Sequence, residues 1–161
     1  MKKLGIAFAA LTALSLGTAA CGSSSETTDT TVAIAPEAAV YTVDGAWARL
    51  SPTEATMGAV YLNVTSTLDD ALVGASVSTE IAAMTQVHET LMNADGTMGM
   101  QEIANVPMTA NTPLALAPGG YHVMLLDLIA PLEIGATVSI TLTFASGGTT
   151  TFDAIVSEEA P

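Results

Sequence analysis

The sequence predicts an all-β antiparallel sandwich, and three observations carry that prediction. Val, Thr, Ala and Gly dominate the 161 residues, a composition that favours pleated strands and turns. From Tyr41 onward the chain divides into short β-branched runs. Turn-forming pairs separate those runs: Ser51-Pro52, Asp69-Asp70, Asp95-Gly96, Pro118-Gly119-Gly120 and Gly147-Gly148. Many short strands at such spacing are the pattern of a sandwich or barrel.

The leader comes first in the chain. Lys2 and Lys3 precede an apolar stretch over residues 4–16 that is too short to span a bilayer. Residues 1–20 therefore read as an export signal. Thr18, Ala19 and Ala20 stand directly before Cys21, the only cysteine. That arrangement resembles the lipobox of bacterial lipoproteins, although Thr18 replaces the usual leucine. The resemblance implies that Cys21 becomes lipidated and amino-terminal, anchoring an extracytoplasmic protein to the membrane. The plainer alternative is secretion with cleavage after Ala20. With one cysteine, no internal disulfide can form.

Residues 21–40 are expected to form the lipidated cysteine and a flexible tether. Their Ser and Thr clusters lack apolar periodicity, and Pro36 resists regular structure. In a random-coil regime the tether would hold the domain on the order of 25 Å from its anchor. The domain itself is expected over 41–157, with a solvated tail at 158–161 containing Glu158 and Glu159. Strands are expected at 45–50, 58–65, 71–77, 82–92, 98–104, 120–128, 137–145 and 149–156. A short helical turn at 80–84 is the alternative for one boundary. No internal repeat, Gly-rich phosphate loop or heptad is visible.

Composition narrows the function. Half the residues are hydrophobic and 12% are charged, which fits one domain with a full core and not a disordered polymer. Formal charge is −13. Without Lys2 and Lys3, Arg49 alone faces sixteen Asp and Glu, leaving −15. Nucleic-acid binding requires a basic footprint, so that class is excluded.

The chemistry concentrates in two histidines and two methionines. His122 and Met124 are two residues apart, so on a strand they share a face at roughly 6.5–7 Å. His88 and Met100 offer a second pair. Imidazole with thioether suits monovalent copper, because soft sulfur donors select Cu(I). Met98 shares a face with Met100 and could substitute for it. Met84, Met92, Met98 and Met108 are otherwise expected to fill core gaps or flank the site. Trp47 and Tyr121 read as core aromatics.

The loop around Asp95-Gly96 tests this idea. A two-residue loop pairs 94 with 97 and Leu91 with Met100, which puts His88 on the opposite face from Met100. A three-residue loop of Ala94, Asp95 and Gly96, with Gly96 left-handed, pairs 93 with 97 instead. Thr90 then opposes Met100, and His88 lies diagonal to it on the same face, about 7 Å away. The four-ligand idea requires the second loop or a longer irregular one.

His88, Met100, His122 and Met124, with their spacings, resemble the His–Met–His–Met motif of the periplasmic copper chaperones called PCu(A)C. Gly45-Ala46-Trp47-Ala48-Arg49 is similar to the family's opening strand. Residues 116–125, Leu-Ala-Pro-Gly-Gly-Tyr-His-Val-Met-Leu, are similar to its signature. Glu89 departs from the second methionine that the family often carries after the first histidine. The resemblance implies a cupredoxin-like β-sandwich that holds Cu(I) as cargo at His88, Met100, His122 and Met124. It also implies delivery to the CuA-bearing subunit of cytochrome c oxidase or to another copper chaperone.

Other classes are weaker on the same residues. Blue-copper electron transfer needs a cysteine thiolate, and Cys21 lies in the wrong segment. An enzyme would need more acid–base material than two histidines, and no nucleophile elbow or zinc-protease helix motif is present. Copper storage or resistance uses the same ligands. A surface interaction module without metal is the remaining alternative.

Overall fold

Ten strands account for the domain: β1 (Tyr41–Arg49), β2 (Met57–Ser66), β3 (Asp70–Val77), β4 (Ala82–Met92), β5 (Met98–Glu102), β6 (Val106–Met108), β7 (Leu114–Leu116), β8 (Tyr121–Leu128), β9 (Thr137–Phe144) and β10 (Thr149–Ser157). The structure, a computed structural model, describes residues 38–160. The expected export signal, Cys21 and most of the expected tether lie outside the described residues.

The strands join in one sheet of order β5-β4-β8-β7-β2-β1-β10-β9-β3-β6, with β8 also pairing β2. A single core cluster draws Val60, Val87, Val123 and Leu125 from one half of the order. From the other half it takes Leu72, Val106, Ile140 and Phe144. The sheet thus folds over itself as a sandwich. Pairing is antiparallel except between β1 and β10 and between β7 and β8. The alternation that predicts a half-buried strand is cleanest in β9, where Val138, Ile140, Leu142 and Phe144 are buried and their neighbours are not.

Three details differ from expectation. Residues 79–81 form a turn, and β4 begins at Ala82, so no helix occupies 80–84. The three-residue strands β6 and β7 fall where the sequence signals only loop. The opening strand starts four residues earlier than expected, at Tyr41, and contains a bulge between Asp44 and Trp47.

That bulge decides which way Trp47 points. Val43 pairs with Val64, a core residue, whereas Trp47 pairs with Tyr61 on the opposite face. Gly45 absorbs the change with a φ of 60°, a left-handed conformation that side chains with a Cβ resist. Trp47 is buried against the Tyr61 ring, with centroids 4.8 Å apart, and is not in the core cluster.

Space is not the obstacle at Gly45, since an added Cβ would meet only the Asn63 side chain at 3.8 Å. Gly45→Ala is therefore expected to lower stability by about 1–2 kcal/mol through conformation alone. Urea unfolding followed by the fluorescence of Trp47, the sole tryptophan, measures this. An unchanged midpoint would show that the strand relaxes without the left-handed residue.

Candidate metal centre

The register of β4 brings the two histidines together. His88 pairs directly with His122 on β8, and Gln86 pairs with Met124. On the other side, Thr90 pairs with Met100 and His88 with Glu102 on β5. Paired residues share a face, so His88, Met100, His122 and Met124 all stand on the outer side of this half of the sheet. The loop is the three-residue form: Asn93 N–H donates to the Thr97 carbonyl at 2.8 Å, and Gly96 has a φ of 81°.

The Pro118-Gly119 turn positions His122. Gly120 N–H donates to the Ala117 carbonyl at 3.0 Å, and Gly119 takes a φ of 84° at the third turn position, as a type II turn requires. The Gly120 carbonyl then accepts from Thr90 N–H and from His122 Nδ1, at 3.1 Å each. A carbonyl only accepts, so Nδ1 carries the proton and His122 keeps its lone pair on Nε2.

His88 is set by a longer chain of the same logic. The Gln86 amide nitrogen donates to Glu102 Oε2 at 2.9 Å, and Gln86 Oε1 lies 2.9 Å from His88 Nε2. An ionised carboxylate only accepts, which fixes the amide orientation and leaves Oε1 facing the imidazole. Nε2 must donate to it, so the lone pair sits on Nδ1. Among the described residues, His88 Nδ1 is the buried side-chain polar atom without a hydrogen-bond partner. A buried acceptor left unpaired costs about 1–3 kcal/mol, and a bound cation would satisfy it.

The two rings have centroids 5.8 Å apart. A ligating nitrogen lies about 2.0–2.1 Å from its metal, so a ring centroid lies roughly 3.2 Å away and two rings on one ion are at most about 6.4 Å apart. The observed separation is within that limit.

Met100, His122 and Met124 line one cleft of about 730 Å³ with Thr90, Pro118 and Gly119. His88 is not among the residues of the cleft wall, and its ring lies beside that of His122. Burial is graded across the set: His122 is 4% exposed, Met124 and His88 are half-buried, and Met100 is 59% exposed. Among the described residues no three His, Cys, Asp or Glu side chains cluster as a metal site. Beside the two imidazoles, this face offers the thioether sulfurs of Met100 and Met124.

Burial, and next the neighbouring His122, push the His88 pKa below its ordinary value against the opposing pull of Glu102. Arg49 and the exposed Glu158 reach the cleft rim. Tyr61 packs toward His122 with centroids 6.2 Å apart. Gln86, Glu102 and Tyr61 belong to no motif visible in the sequence. Their one available signal is parity, since each stands an even number of residues from a site residue or its cross-strand partner. Met108 fills the core as expected, whereas Met84, Met92 and Met98 are exposed and flank the site face.

The tautomers can be measured without metal. In the apo protein, 15N NMR is expected to show His88 protonated at Nε2 and His122 at Nδ1. Gln86→Leu should release His88 into a mixture of tautomers and leave His122 unchanged. A His88 spectrum identical in wild type and Gln86→Leu would remove Gln86 from this role.

Known proteins resemble this chain in sequence and fold to different degrees. Residues 41–156 match the family described as "Putative lipoprotein LpqE-like". A "Putative lipoprotein Lxx21020" from Leifsonia xyli subsp. xyli (strain CTCB07) is 35% identical over 108 residues, 66% of this chain and 63% of that protein. The chain thus spans less than two thirds of that relative. The apo PCuAC domain of PmoF1 superposes with a TM-score of 0.60 at 26% identity, covering 75% of this chain and 94% of that one. The copper-bound PCuAC domain of PmoF2 gives 0.57 at 26% identity, covering 75% and 93%. The Cu(I) form of DR1885 from Deinococcus radiodurans gives 0.55 at 30% identity, covering 71% and 76%. The domain has the PCuAC fold, and the chain belongs to the LpqE-like lipoprotein family.

Proposed function

We propose that this protein is an extracytoplasmic copper chaperone that carries Cu(I) and passes it to an acceptor. The supporting observation is the placement of His88, His122, Met100 and Met124 on one sheet face, with the two imidazole rings 5.8 Å apart. Each imidazole has its other nitrogen committed to a hydrogen bond, the arrangement usual for metal-ligating histidines. The copper-bound neighbours support the choice of metal. The acceptor we infer is the CuA-bearing subunit of cytochrome c oxidase or a further copper chaperone. Lipidated Cys21 would hold the domain at the outer face of the cell membrane.

The donor set favours Cu(I) because thioethers are soft and neutral, whereas imidazole accepts either oxidation state. Met100→Leu with Met124→Leu keeps volume nearly constant and should cost under about 1.5 kcal/mol per swap. Competitive titration is expected to show a steep loss of Cu(I) affinity in that variant, with any weak Cu(II) binding retained. His88→Asn with His122→Asn should abolish Cu(II) binding and weaken Cu(I). Wild-type Cu(I) affinity in the methionine variant, and also after adding Met98→Leu, would show that the thioethers only pack.

Acid should compete with copper through the histidines. Because the folded pKa of His88 is depressed, the fold favours its neutral form. Apo stability then falls as pH drops below the unfolded value of about 6.5, until the folded pKa is passed. Cu(I) affinity should hold from pH 7.5 to about 6.5 and decline below it, since a coordinating imidazole must be unprotonated. Affinity that is constant down to pH 5 would mean the histidines are not ligands.

A further inference from the structure

Copper binding at the histidines leaves unexplained where the remaining methionines lie. Seven methionines follow residue 41, and only Met108 enters the core. Three of the others gather at the end of the β4–β5 hairpin. Met92 pairs directly with Met98, and Thr90 with Met100, so all three thioethers stand on one face. They are 74%, 60% and 59% exposed, and no core packing accounts for them.

The spacing suits one small ion. Directly opposed residues have Cβ atoms about 4.5–5.5 Å apart, and Met98 and Met100 are about 6.5–7 Å apart along their strand. Methionine has three rotatable bonds beyond its Cα, and exposure leaves its rotamers free. The three sulfurs can therefore meet at one point without moving the backbone. Three neutral thioethers attract soft cations and discriminate against hard divalent ones.

We infer that Met92, Met98 and Met100 form a second, outer site for a soft monovalent cation, Cu(I), at the tip of the β4–β5 hairpin. Met100 belongs to both sites. If the inner site binds copper as proposed above, an ion at the tip can move inward by ligand exchange. The Met100 sulfur–copper bond persists, the bonds to Met92 and Met98 break, and bonds to His88, His122 and Met124 form. No electron is transferred. No proton is released either, because Nδ1 of His88 and Nε2 of His122 already present lone pairs.

The experiment titrates the full chain, labelled with 13C-methyl methionine, with Ag(I), a redox-inert cation of the same soft preference. The first equivalent is expected to move the Met100 and Met124 methyl signals; the second should move those of Met92 and Met98 and shift Met100 again, because its sulfur is then shared between the two ions. M92L with M98L should lose the second equivalent and keep the first. H88N with H122N should weaken the inner site while the Met92 and Met98 signals still shift. Met92 and Met98 signals that stay fixed at two equivalents, in wild type and in the histidine variant, would overturn the outer site. If instead Met92 and Met98 respond while Met124 never does, the tip site stands and the inner copper reading and the transfer fail.

Discussion

The pairing of His88 with His122 across β4 and β8 is the constraint on which the remaining geometry rests. Side chains alternate along a strand, so a slip of one residue would turn His122 to the core and Val123 to the outer face. The register is set by the other side of the sheet, where Val87, Val123 and Leu125 are at most 3% exposed. Fully burying one such side chain is worth about 1.5–3 kcal/mol, so a slip that exposes several of them is strongly disfavoured. The hydrophobic face selects the register, and the register delivers the histidine pair to the opposite face.

Electrostatics then refine what the register supplies. Gln86 and Glu102 orient one imidazole, and the Gly120 carbonyl orients the other. In the tautomers these bonds select, each neutral ring presents a lone pair on its other nitrogen. Four neutral donors leave the charge of a monovalent cation uncompensated. Glu102, one amide away from His88, places a carboxylate close enough to offset part of it. Across the chain beyond Cys21, Arg49 is the only Lys or Arg among sixteen acids, a field that draws cations toward the surface.

The sequence made some of this legible and hid the rest for identifiable reasons. Period-two patterning is plainest in β9, whose inner face is buried and whose outer face is not. The motif residues are visible as rare types at strand spacing, but whether His88 and Met100 share a face depends on a single loop residue. Gly96 resolves it by adopting a left-handed conformation. β6 and β7 are only three residues long, too short for any period to register. Trp47 reads as a core aromatic because a bulge at Gly45 shifts strand parity without any change in composition. The polar partners of His88 are invisible for a different reason: Gln86 and Glu102 are ordinary surface residues until the β4–β5 register places them side by side.

The candidate site has a rigid half and a loose half, and the sheet order explains the division. His122 is on β8, paired on both sides by β4 and β2, and is 4% exposed. Its ring is held by a backbone carbonyl and flanked by Tyr61. Met100 is on β5, at the end of the strand order with one neighbour only, and more than half its surface meets solvent. A central strand fixes its side chains through packing on two flanks, while an edge strand leaves them free to change rotamer. Ligands of the first kind set the position of an ion, and ligands of the second kind can release it one bond at a time. A storage protein would be served by enclosing all four donors. If copper binds as proposed, the placement of one thioether on an exposed sheet edge favours exchange, because an incoming donor could replace Met100 without first opening the core.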